Sequence, residues 1–146
     1  MKRPLRLGAG ATLLVALIVA GCSTTRGPTI EDRVRETIHA YRRAFKARDL
    51  DKVMNCYSED YRSEFGEGRT VDKAALRTWL EGAMEGDALD GVTMATNRQK
   101  IVVEGDEAVA SPIRFLRSGE ERVLTLEMTF RSEADRWRIV SSRALQ

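Results

Sequence analysis

The chain has 146 residues, 42% of them hydrophobic and 32% charged. Those proportions suit one soluble globular domain and exclude a disordered, collagen-like or low-complexity chain. The formal charge is +2 and the sequence pI about 8.7, but Lys2, Arg3 and Arg6 stand ahead of residue 22, and without the first 21 residues 21 bases face 22 acids, a net of −1. The basic pI therefore lends no support to a nucleic-acid partner, and no basic stripe with interleaved aromatics marks one.

Met1–Arg6 is a short positive segment, Leu7–Ala20 carries no charge, and small residues follow. This is the layout of a secretory signal. A spanning helix would want about 20 strongly apolar residues, and only Leu13–Ala20 is densely hydrophobic. Val19-Ala20-Gly21-Cys22 resembles the lipobox of bacterial lipoproteins. The resemblance implies cleavage before Cys22, diacylglycerol on its thiol and acylation of its new amino group. Two or more acyl chains make membrane attachment stable where one is marginal. Ser23 in place of an Asp implies sorting to the outer membrane, facing the periplasm, in a cell that has one.

Residues 22–29 are expected as a lipidated tether. Seven extended residues, Ser23–Thr29, span roughly 25 Å at about 3.5 Å each, which keeps the domain at 30–146 close to its membrane. Cys56 is the second of two cysteines. With Cys22 lipidated it has no partner, and it reads as a buried small hydrophobe on a helix.

Thr29 is placed to cap a first helix, with Asp32 completing a capping box. Ile30, Val34, Ile38, Tyr41 and Phe45 recur at helical spacing. Asp49 can cap a second helix with the apolar face Leu50, Val53, Met54 and Tyr57. Residues 58–70 read as loop with room for a short strand. Asp72 can cap a third helix whose inner face is Leu76, Trp79, Leu80, Ala83 and Met84. After Gly91 the period changes to two, and strands are expected at about 92–103, 107–117, 121–131 and 136–145. Leu124, Leu126, Met128 and Phe130 should share one face of the third. Pro112 should mark an edge or a bulge in the second. Helices followed by a short-turned meander make an α+β domain with an antiparallel sheet.

Tyr41-Arg-Arg-Ala-Phe-Lys-Ala-Arg-Asp-Leu-Asp51, Tyr57-Ser-Glu-Asp60 and a late Trp137-Arg-Ile139 resemble the NTF2-like superfamily, the SnoaL-like and ketosteroid-isomerase-like cone. The resemblance spans about 30–145. It implies N-terminal helices packed on a curved antiparallel four-strand meander, a cone-shaped pocket, and frequent homodimers through the sheet's outer face. In the isomerase branch a first-helix tyrosine would fall on Tyr41, but the general-base aspartate would fall on Phe65 and a neutral acid near Met128. Proton abstraction needs a base within hydrogen-bond reach, and Glu64 and Glu127 stand one residue out of phase on extended chain.

One histidine, His39, lies among Arg35, Arg42, Arg43 and Lys46 and reads as solvated. One histidine and one free thiol make no zinc site, so neither metal nor cofactor is expected. Tyr41, Tyr57, Tyr61 and Trp79 are the expected pocket-lining residues, since tyrosine and tryptophan give an apolar wall with a polar handle. The leading expectation is a non-catalytic, membrane-anchored lipoprotein binding a small apolar ligand or a protein partner. A small lyase, isomerase or hydrolase using Tyr41 with Asp60 or Glu64, and a structural homodimer with a filled cone, are the alternatives.

Overall fold

A computed structural model describes residues 26–64, 68–118 and 121–146. The signal segment, Cys22 and Phe65 lie outside the described residues. Helix α1 (Ile30–Lys46) opens on the expected capping box: the Asp32 amide donates to Thr29 Oγ1 at 3.1 Å, and the Thr29 amide donates to the Asp32 carboxylate at 2.9 Å. These bonds hold the Asp32 carboxyl below the usual carboxylate range. Val34, Ile38, Tyr41, Ala44 and Phe45 are buried along one stripe, while Ile30 at the helix start stays exposed.

The chain reverses through Arg48 in the left-handed region (φ 55°) and enters α2 (Leu50–Met54), where the Lys52 amide donates to Asp49 at 3.1 Å. Helix α2 is a turn and a half long, so Cys56 sits just beyond it in a turn and not on a helix. The expected loop at 58–70 holds one short strand, β1 (Arg62–Glu64), which pairs antiparallel with β2 (Thr70–Asp72) at the loop's end, with Ser63 opposite Val71. Asp72 then caps α3 (Lys73–Glu85), accepting from the Ala75 amide at 2.8 Å. A 3₁₀ turn at Asp87–Leu89 leads into the sheet.

The main sheet comprises β3 (Val92–Ala95), β4 (Lys100–Glu104), β5 (Glu107–Arg117), β6 (Glu121–Glu133) and β7 (Arg136–Ala144), all antiparallel. The path β3-β5-β6-β7 is the anticipated four-strand meander, and β4 lies beside β5 beyond β3. The single strand expected at 92–103 is therefore two, separated by Thr96–Gln99. Both halves pair with β5, and the break falls where β5 carries Pro112, which has no N–H to give the ladder.

Three register slips bend the sheet. Ala110 faces Met128 but Ile113 faces Leu126, so one extra residue enters β5 at Ser111-Pro112. Val123 is the extra residue in β6, and Val140 the extra residue in β7. Pro112 thus marks a bulge in an interior strand, not an edge. Each bulge adds local twist and turns its strand, and together they curl the sheet's inner face toward α1. Leu126, Met128 and Phe130 on β6 pack with Val34, Ile38 and Phe45 in one core.

Candidate ligand-binding cone

Tyr57 is positioned by backbone pairing. The amide of Ile139 on β7 donates to the Cys56 carbonyl at 2.8 Å, and the Ser58 amide donates to the Ile139 carbonyl at 2.9 Å. This clamps the segment after α2 on the last strand and aims Tyr57 inward. On α1, Tyr41 lies on the core stripe one turn before Phe45. Its ring meets Tyr57 edge-on at 5.7 Å, and Tyr57 meets Tyr61 edge-on at 4.9 Å.

Beside this tyrosine cluster the curled sheet and α3 enclose a cavity of ≈ 610 Å³. Phe45, Leu76, Leu80, Leu89, Phe115 and Leu126 supply apolar wall, and Arg69 and Ser142 add polar atoms. Tyr41, Tyr57, Tyr61 and Trp79 all line this one cavity. The three tyrosines are almost fully buried, at 3%, 3% and 0% exposure. Trp79 is not on the inner face of its helix as expected: it is 58% exposed. At 3.6 residues per turn it lies about 60° to one side of Leu76, on the flank of the stripe, where its ring forms part of the rim.

The polar handles are partly spent inside the wall. Tyr57 Oη donates to Tyr41 Oη at 3.1 Å, and Tyr61 Oη and Ser142 Oγ share a hydrogen at 2.5 Å. Ser63 Oγ donates to the Ser142 carbonyl. Because Tyr41 accepts from Tyr57, its own hydroxyl proton is left to give to a ligand. Burial pushes the Tyr41 and Tyr57 phenols well above the ordinary tyrosine value. Both stay protonated at neutral pH, which makes them donors and not bases.

The acids lie elsewhere. Asp60 and Glu64 are exposed, and neither lines the cavity. Glu127 is held by Arg143 at 2.8 Å, while Met128 beside it is buried in the core. Among the described residues no carboxylate contributes to the cavity wall. His39 is exposed on α1 and does not reach the cone. Cys56 is buried, its Sγ directed at the Lys52 carbonyl at 3.5 Å, and burial pushes its thiol up to about 11 against the pull of Arg138 and Arg43. Among the described residues no group of His, Cys, Asp and Glu could hold a metal ion.

Phe45, read from sequence as part of the α1 stripe, and Leu126, read as part of one face of the third strand, also belong to the wall, as does Phe115, which the sequence reading did not single out. An alternating strand marks a residue as inward, and it cannot tell whether the inward side is filled. Ser142 carries no sequence signal at all.

Several solved structures share this architecture. An NTF2-like protein of unknown function from Pseudomonas putida KT2440 is similar at a TM-score of 0.63 and 16% identity, covering 81% of this chain and 88% of that one. An NTF2-like protein with a cystatin-like fold from Novosphingobium aromaticivorans is similar at a TM-score of 0.63 and 23% identity over 78% and 79% of the two chains. A Streptomyces avermitilis protein of the NTF2-like family, described as a candidate dehydratase, gives a TM-score of 0.61 at 15% identity over 77% and 91%. At these identities the likeness is one of fold. No curated protein matches the sequence. The SnoaL-like domain matches residues 38–140, from the middle of α1 to the bulge in β7, and the chain belongs to the SnoaL-like domain family.

Proposed function

We propose that this protein is a membrane-anchored envelope lipoprotein whose SnoaL-like cone binds a small, largely apolar ligand carrying one hydrogen-bond acceptor, without chemistry on it. The observation that carries the reading is the wall of the ≈ 610 Å³ cavity: mostly apolar, with the Tyr41 hydroxyl proton unspent and the two candidate acids, Asp60 and Glu64, turned to solvent. Ligand pockets have this volume and this ratio of apolar wall to convergent polar groups. The open cavity disfavours a cone filled by its own side chains. Among the described residues no carboxylate or histidine lines the cone, which disfavours a lyase or isomerase that would need a group to take a proton near neutral pH. Val19-Ala20-Gly21-Cys22 supports the anchor, and Ser23 in place of an Asp supports an outer-membrane, periplasm-facing address.

Native mass spectrometry of the purified protein tests the binding half. A co-purifying apolar compound of a few hundred daltons, reduced in Phe115→Trp (which narrows the cone) and retained in Trp137→Phe, is the expected result. Catalytic conversion of that compound by the protein would overturn the non-catalytic reading.

A further inference from the structure

A second concavity, of ≈ 640 Å³, lies between the other flank of α1 and the β3–β4 region, and it shares no lining residue with the cone. Alternation along β5 separates the two: Phe115 enters the cone, while Arg114 and Leu116 on either side of it line the second site. On α1, Arg35, His39 and Arg42 stand four and three residues apart and so share one face. Arg98 joins them from the turn that splits the expected first strand.

Four arginines and the chain's sole histidine line this concavity, and no described lining residue is acidic. That is not what the composition supplies by default, since beyond residue 21 acids slightly outnumber bases. The larger polar groove on the α1–β7 side makes the contrast: Arg33, Arg43, Lys52, Arg136 and Arg138 there are interleaved with Glu36, Asp49 and Asp135.

The donors are also free to act. Arg35 is paired with Glu31 at 2.5 Å, but Arg42, Arg98 and Arg114 form no ion pair among the described residues. Arg114 spends one N–H on Asn97 Oδ1 at 3.0 Å, which ties the β3–β4 turn to β5 and fixes the guanidinium in place.

We propose that this concavity is a binding site for a phosphate-bearing anion. One guanidinium fork satisfies a carboxylate, whereas several guanidinia from three different places in the fold suit a phosphoryl group, whose free oxygens are arranged tetrahedrally and can accept from more than one fork. The volume leaves room for a second phosphate or an organic remainder. The phosphate source is either the headgroup of an anionic phospholipid or a soluble phosphate compound. The site stands whether or not the cone holds a ligand.

The test is isothermal titration of the full chain, held in a nonionic detergent at low salt, with inorganic pyrophosphate and separately with glycerophosphoglycerol, the deacylated headgroup of phosphatidylglycerol. Saturable binding that Arg42→Gln with Arg98→Gln weakens at least tenfold is expected. Tighter binding of glycerophosphoglycerol identifies the headgroup, and tighter binding of pyrophosphate identifies the soluble source. Arg42→Lys with Arg98→Lys keeps the charge and loses the fork, and should fall between; its near-ultraviolet circular dichroism guards against misfolding. Absence of saturable binding to either probe, or affinity unchanged in the Gln pair, would overturn the proposal.

Discussion

The Tyr57 hydroxyl donates to the Tyr41 hydroxyl at 3.1 Å between two rings that are each 3% exposed. A buried donor stripped of its acceptor costs about 1–3 kcal/mol, whereas removing both partners is close to neutral. Tyr41→Phe should therefore lower stability by about that amount, and Tyr41→Phe with Tyr57→Phe should recover most of the loss. Urea denaturation of the single and double variants measures it. Equal losses in both would mean that the Tyr57 hydroxyl left without its acceptor carries no penalty.

The same burial makes a prediction in alkali. Both phenols have folded pKa values raised above the unfolded value near 10 because burial disfavours the phenolate, and the Cys56 thiol is likewise raised to about 11. In such a case the unfolded chain releases protons that the native chain keeps, so stability is intact below about pH 9 and falls as pH climbs beyond. Each phenol contributes a slope of about 1.4 kcal/mol per pH unit once its unfolded form ionises. Tyrosine absorbance at 295 nm should show Tyr41 and Tyr57 ionising together with alkaline unfolding. Smooth titration of either near pH 10 in the folded protein would contradict the burial.

Local patterning carried most of the scaffold. The Thr29–Asp32 box, the Asp49 and Asp72 caps, the α1 stripe and the alternation of β6 each depend on neighbours within a few residues, and each is found where the spacing puts it. What local patterning could not supply was the break at Thr96–Gln99, which arises because the partner strand carries Pro112. The position of Trp79 is local by contrast: about 60° round the helix from Leu76, it falls on the flank of the inner stripe, where its ring stays 58% exposed. The tyrosines were legible as inward residues. That they wall a cavity follows from three bulges in strands that come later in the chain.

The two tryptophans should behave differently as probes. Trp79 is 58% exposed at the rim of the cone and Trp137 is 6% exposed against α1. In Trp137→Phe the remaining emission should be red-shifted and readily quenched by acrylamide, and an apolar ligand entering the cone should shift it to the blue and protect it. In Trp79→Phe the emission should be blue, poorly quenched and indifferent to ligand. Trp79→Ala removes little buried area, so its stability should change by less than about 1 kcal/mol.

Anchoring is the last consequence. Two or more acyl chains on one residue give an attachment that salt and alkali do not reverse, because each buried CH₂ adds about 0.8 kcal/mol. The tryptic peptide that begins at Cys22 and ends at Arg26 should carry the mass of a diacylglycerol and one further acyl group, and Cys22→Ala should abolish that mass. Fractionation alone is not decisive, since an uncleaved apolar segment would also sediment with membranes. The mass of the peptide separates the two cases: lipid on Cys22 sustains the anchor, and an unmodified peptide, or the same added mass persisting in Cys22→Ala, refutes it.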